Sequence, residues 1–268
     1  MSVMQRRRLT SRSEAKRVEA TTSRVALDEA ENDMSDKHLS TQFDAELSGI
    51  STRVLEMGGL VEAQVAQSIY ALTHFSGETA SQVLAQEERV NAMEVEIDRD
   101  LFTIIARRQP TARDLRLLIA VSKSIANLER VGDEAARIAR TVQRLVNNGV
   151  SSRLRLPVAD LAFESELAIA ILRKALDAFA RLDVERALEV LKQDDQIDRE
   201  FDGLMRKLIT YMMEDPRTIS SSIDLVFVAK AIERVGDHAK NLAEVIIYIV
   251  KGTDVRHNRV EAVETMVR

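Results

Sequence analysis

From residue 43 the apolar side chains fall at Phe43, Leu47, Ile50, Val54, Met57, Val61, Val65, Ile69 and Leu72, steps of three and four that form one stripe of a helix. The pattern predicts a first helix over about residues 41–75, broken by Ser76-Gly77. A second stripe passes through Val83, Val90, Ile97, Leu101 and Ile104 and ends before Gln109-Pro110. Pro110 suits the first turn of a third helix. That helix carries the seam Leu118, Val121, Ile125, Leu128, Gly132, Ala135, Ala139, Val142 and Val146 and stops at Asn147-Asn148-Gly149. The second half follows the same plan, with helices over about 158–182 and 184–214. Asp215-Pro216 then reads as the cap and first-turn residue of a last helix reaching Val250 before Gly252.

Composition narrows the class. Only 3 prolines and 9 glycines in 268 residues leave little turn chemistry for a sheet, so the expected class is all-α: two tandem three-helix bundles in an elongated arrangement. The expected division is a disordered arm over 1–37, bundles over 38–150 and 151–252, and a tail over 253–268. The arm holds Arg6, Arg7, Arg8 and Arg12 but no apolar segment behind them, which argues against a secretory signal. The folded pattern begins so late that translation from Met34 is an alternative. The absence of cysteine excludes a disulfide framework, a thiolate metal site and a Cys nucleophile, and fits a reducing compartment. A net charge of −5 offers no electrostatic footprint for nucleic acid, and no apolar run is long enough to span a membrane.

The two halves share more than periodicity. Leu128-Glu129-Arg130-Val131-Gly132-Asp133 recurs 104 residues later as Ile232-Glu233-Arg234-Val235-Gly236-Asp237, with five consecutive identities. Each Glu and Asp are four apart on one helix face, a spacing at which like charges repel. Neighbouring bases could neutralise them. Arg137 stands four after Asp133, but the equivalent position in the second repeat is Asn241, while Arg130 and Arg234 remain within reach of the aspartates. The second helix of each unit adds an acid at a seam position, Glu87 between Val83 and Val90 and Asp194 between Val190 and Ile197. The same alignment, offset by 107 residues, pairs Asn91 with Asp198.

An uncompensated carboxylate on a core seam is costly, so it is expected to be paired, protonated or bound to a cation. Antiparallel packing of the second and third helices would set Glu87 and Asn91 against Glu129 and Asp133, and Asp194 and Asp198 against Glu233 and Asp237. Oxygen-only donor sets suit magnesium, manganese or iron, and zinc less well. Four carboxylates in the second repeat, against three and an amide in the first, predict tighter binding in the second. Glu94 also lies on the seam, but its counterpart is Phe201, which weakens it as a ligand. His238 beside Asp237 is expected to be a solvated surface histidine. Gly132 and Gly236 are expected to serve close helix packing rather than a phosphate loop. No Gly-rich loop, Ser/His/Asp set or Glu-x-x-His pair points to catalysis.

Taken together with Gln42-Phe43-Asp44-Ala45-Glu46-Leu47, Arg108-Gln109-Pro110-Thr111-Ala112-Arg113-Asp114-Leu115-Arg116 and Tyr211-Met212-Met213-Glu214-Asp215-Pro216-Arg217-Thr218-Ile219, the repeated motif resembles the PhoU family of bacterial phosphate transport, from about residue 38 to 257. The resemblance implies a cytoplasmic, non-enzymatic regulator, usually a homodimer. Its implied partners are the ATPase subunit of the phosphate ABC transporter and the sensor histidine kinase of the phosphate regulon, with the membrane reached only through them. It further implies metal clusters on E(D)-x-x-x-D motifs, here Glu129 with Asp133, Glu233 with Asp237 and Asp194 with Asp198, from which Asn91 departs. A carboxylate-bridged metal enzyme and a purely structural helical adaptor are the rival readings.

Overall fold

The structure is a computed structural model and describes residues 41–149 and 157–267. The expected arm over 1–37 and the alternative start at Met34 lie outside the described residues. The chain divides into Met1–Ser48 and Gly49–Arg268, and all packing described below lies within the latter.

The first helix, α1, covers residues 41–74, and the next two are α2 (Gly77–Arg108) and α3 (Ala112–Asn147). They are followed by α4 (Val158–Arg181), α5 (Val184–Glu214), a 3-10 turn over Pro216–Thr218, α6 (Ile219–Lys251) and a short α7 (Val260–Val267). Among the described residues there is no strand, and no helix is long and apolar enough to cross a membrane.

The helix boundaries have local causes. Ser76 and Asp183 cap α2 and α5, each side chain accepting a backbone N–H three residues on. Phe75 and Leu182, just before them, both hold φ near +50°, so the two halves turn the same corner. Pro110 does not enter the third helix: α3 begins at Ala112 with Thr111 at the cap position, and Thr111 Oγ1 donates to Asp114. Asp215 accepts from Arg217 N and Pro216 opens the 3-10 turn, as its fixed φ favours. Gly252 closes α6 in the left-handed region at φ 72°.

The predicted stripes are the core. Val54, Met57 and Val61 of α1, and Val83, Val90 and Ile97 of α2, are fully buried. The third helix of each half buries more than its predicted seam: Ala120, Val131, Ile138 and Leu145 of α3 are buried as well. The reason is packing on more than one side, since α3 lies against both α2 and α6, while α6 lies against α3, α4 and α5. Across the α3–α6 contact, buried Glu134 accepts from Arg234 at 3.2 Å and pairs with Arg137 at 3.1 Å. The segment expected to be a tail contains α7, which packs on α5 through buried Val263 and Val267 and a Lys192–Glu264 ion pair.

Candidate metal centre

Two glycines set the spacing of the helices that carry the acids. A Cβ on Gly236 would stand 2.7 Å from Ile197 Cδ1 and 3.6 Å from Asp194 Oδ1, so α6 meets α5 where only hydrogen fits. Gly132 makes a less extreme approach of α3 to α2, where a Cβ would stand 3.3 Å from Val90 Cγ1 and from Gln64 Oε1. The close-packing expectation for both glycines therefore holds, and one consequence is that the acids beside them are drawn out of bulk water.

In the second repeat the four predicted residues form one electrostatic patch. Asp194 of α5 is buried, and Lys240 Nζ donates to its Oδ2 at 2.6 Å. Lys230 Nζ donates to Glu233 Oε1 at 2.6 Å, while Glu233 Oε2 is buried without a hydrogen-bond partner. Burial, then the charges of Glu233 and Asp194, push the Asp237 carboxyl up to about 6. Asp198 is raised by burial first and then by Asp194 and Glu233, although its residue surface is largely exposed.

The first repeat differs in its balance. Arg140 Nη2 donates to both carboxylate oxygens of Glu87, at 2.8 and 2.7 Å. Arg130 lies 3.3 Å from both Glu129 and Asp133. Burial raises Glu129, followed by the charge of Asp133 and, more weakly, those of Glu94 and Glu87. Glu94, discounted in the sequence, is itself raised by burial and by the charges of Asp98 and Asp133, with Arg130 opposing. It therefore shares this patch, whereas Asn91 is exposed and has no hydrogen bond among the described residues. The available signal for Glu94 was its place on the apolar seam four residues after Val90, overridden by the mismatch with Phe201.

Two expectations about the flanking residues are corrected. Charge neutralisation does carry over to the second repeat, through different residues: Lys230 and Lys240 stand where the first repeat has Ala126 and Ala136, and Glu244 replaces Arg140. Arg137 pairs with Glu134 rather than Asp133 because Asp133 already faces Arg130. His238 is half-buried rather than a free surface histidine. Its Nδ1 lies 3.1 Å from Asn127 Oδ1 across the α3–α6 contact, and burial followed by the positive charges of Arg130 and Arg234 pushes it down to about 4.

Among the described residues, no three His, Asp or Glu side chains converge at ligating geometry. Asp194 and Glu233 instead pair with lysines, and Glu87, Glu129 and Asp133 with arginines, so a cation entering the second patch would compete with Lys230 and Lys240. The donor chemistry nevertheless fits a hard cation: four carboxylates, one buried oxygen without a partner and two groups whose ionisation is held back first by burial and then by their acidic neighbours.

Duplicated three-helix units, locked together through their third helices and each carrying an acidic pair against an acidic seam residue, define a class of helical repeat proteins without a catalytic constellation among the described residues. PhoU domains match residues 54–142 and again 164–246, and the chain belongs to the PhoU family. A Burkholderia protein named phosphate-specific transport system accessory protein PhoU homolog is 49% identical over 84% of this chain and 95% of its own length. The Escherichia coli K12 protein named phosphate-specific transport system accessory protein PhoU is 44% identical over 82% and 90% of the two chains. The crystal structure of PhoU from Pseudomonas aeruginosa superimposes with a TM-score of 0.73 at 44% identity, covering 79% of this chain and all of that one.

Proposed function

We propose that this chain is the accessory protein of a phosphate-specific transport system and restrains the phosphate regulon when phosphate is plentiful. The observation that carries the reading is family membership along both repeats, with relatives so named matched over nearly their whole length. In this reading it is a non-catalytic cytoplasmic regulator, acting as a homodimer between the transporter's ATPase subunit and the regulon's sensor histidine kinase. The test is alkaline phosphatase activity in phosphate-replete cells lacking the gene. High activity in the deletion, returned to low by the wild-type gene, supports regulation. Low and normally inducible activity in the deletion contradicts it.

The same reading assigns a divalent cation, iron, manganese, magnesium or zinc, to the acid patches. Asp194, Asp198, Glu233 and Asp237 would hold it in the second repeat, and Glu87, Glu129 and Asp133 with Asn91 in the first. Bound there, the cation supplies a charge cross-link between neighbouring helices that fixes the surface offered to partners. Asp194 and Glu233 reach it from α5 and α6, and Lys240 and Lys230 hold their charge in its absence. Those lysine contacts also favour a second reading, a helical adaptor whose acids are neutralised by protein alone. Metal content of the chain purified without chelator separates the two, since the adaptor carries none above background.

A further inference from the structure

The contact between the two repeats carries a cleft that the acid patches do not account for. Helices α3 and α6 run antiparallel, since Asn127, Glu134 and Arg144 of α3 meet His238, Arg234 and Asp224 of α6 in reverse order. Beside this contact lies a cavity of about 750 Å³, bounded on a third side by the connection from α6 to α7. Every residue lining it is polar or charged; six are Arg or Lys and four are Asp or Glu. A cavity of this size suits a small ligand, and the lack of any apolar wall calls for one that is polar throughout.

Four of the bases outrun their acids. Arg137 and Arg234, one from each repeat, share a single carboxylate, that of buried Glu134. The 104-residue repeat would place a reciprocal acid at position 238, facing Arg130, but His238 stands there. Arg130 therefore turns to Glu129 and Asp133 of its own helix, at 3.3 Å. Burial, and then the charges of Arg130 and Arg234, push His238 down, so it adds no charge to offset them. Arg259 forms no ion pair among the described residues. It is brought to the rim by an ordered turn: Asp254 accepts from Arg256 N, Asn258 N donates to Val255 O, and Val255 is buried. The other two bases are committed, Arg256 to Asp254 and Lys240 to Asp194.

We propose that Arg130, Arg137, Arg234 and Arg259 form a binding site for a short polyanion, a chain of several phosphoryl groups with no apolar part. Guanidinium forks take phosphoryl oxygens two at a time, which suits arginine rather than lysine as the free base. The cleft follows α6 from Arg234 to Glu244, about 15 Å, so it is longer than one phosphate needs. Asp237 and Glu244 are both on the α6 wall, which sets the chain toward α3 and the connection. A ligand held there ties the two repeats together. The site goes beyond the regulatory reading and needs no metal on the acid patches.

The test is calorimetric titration of the full chain with inorganic triphosphate, orthophosphate and citrate at neutral pH, as purified and again after metal and chelator have been removed. The expected result is one triphosphate per chain, bound in both preparations at least about tenfold more tightly than orthophosphate or citrate. Arg259→Gln and Arg137→Lys should each weaken it about tenfold. Arg137→Lys keeps a charge beside Glu134, and thermal melts check that both variants fold. Arg206→Gln, at an exposed arginine of α5 outside the cleft, should bind like wild type. No uptake of triphosphate by wild type, or equal weakening by Arg206→Gln, overturns the site. Binding that vanishes once metal is removed marks a metal-bridged ligand and overturns the arginine site as well. Orthophosphate or citrate bound as tightly as triphosphate overturns the assignment to a phosphoryl chain. None of these outcomes bears on repression of the regulon, which the phosphatase measurement tests separately.

Discussion

At the scale of single residues, the protein is distinguished by carboxylates kept out of water. Glu164 is pushed up to about 8, first by burial and then by Glu200 and Glu233. A carboxyl raised in the folded state contributes most below its unfolded value near 4.5, and its contribution declines as pH rises toward 8. In chelator, Glu164→Met should therefore gain stability over wild type between those limits, reaching on the order of 3 kcal/mol near pH 8. Denaturant melts at two pH values measure this, and a pH-independent difference would refute it. Lys240 is the complementary case. Removing it as Lys240→Met leaves Asp194 buried beside three other acids, which should cost about 2–3 kcal/mol in chelator after allowing for the partial exposure of the lysine. Added Mn2+ should recover part of that loss, because the cation replaces the missing charge; a loss insensitive to Mn2+ would favour the adaptor reading. Neither residue stood out in the sequence. Glu164 is a lone acid on an apolar stripe, and Lys240 reaches its partner across helices, a relation that spacing along one helix does not encode.

At the scale of elements, glycine spacing decides how close the acidic helices come. Gly236→Ala gains helix propensity of about 1 kcal/mol but drives a methyl into Ile197, which is 1% exposed. The expected net effect is a loss of about 1–2 kcal/mol, and Ile197→Val, which removes the clashing Cδ1, should recover most of it. Additive losses in thermal melts of the two single variants and the double variant would show that this contact does not limit the approach. The helices themselves were legible because their apolar residues keep a helical period over about six turns or more, and the repeated Glu-x-x-x-Asp was legible because chance does not duplicate five consecutive residues. The short α7 was not. It spans 8 residues and is positioned by contact with α5 rather than by a long stripe. The start of α3 was misread because Pro110 is equally suited to the segment before a helix, where Thr111 then takes the cap position.

Within the unit Gly49–Arg268, the α3–α6 contact joins the two repeats, and it is polar at its centre. Glu134 is held there by Arg137 and Arg234, with His238 beside Asn127. His238 is held down at about 4, so its contribution is complete above the unfolded value near 6.5 and is lost as pH falls toward 4. Half-buried as it is, it should account for about 1–2 kcal/mol of acid destabilisation in chelator. His238→Asn should flatten the melting profile between pH 6.5 and 4, and an unchanged profile would remove this role. The second buried stripe of α3 was hidden because a single seam is all that periodicity within one three-helix unit requires. Only the joining of two units asks for another.

The acid pair of α6 is the point at which fold, charge and regulation meet. Its most direct test is alkaline phosphatase activity in phosphate-replete deletion cells carrying either the wild-type gene or Glu233→Ala with Asp237→Ala, at matched protein level and matched melting temperature. The account predicts low activity with wild type and high activity with the double variant. Equal repression by both would contradict it, and would leave the acids a structural part of the helical scaffold.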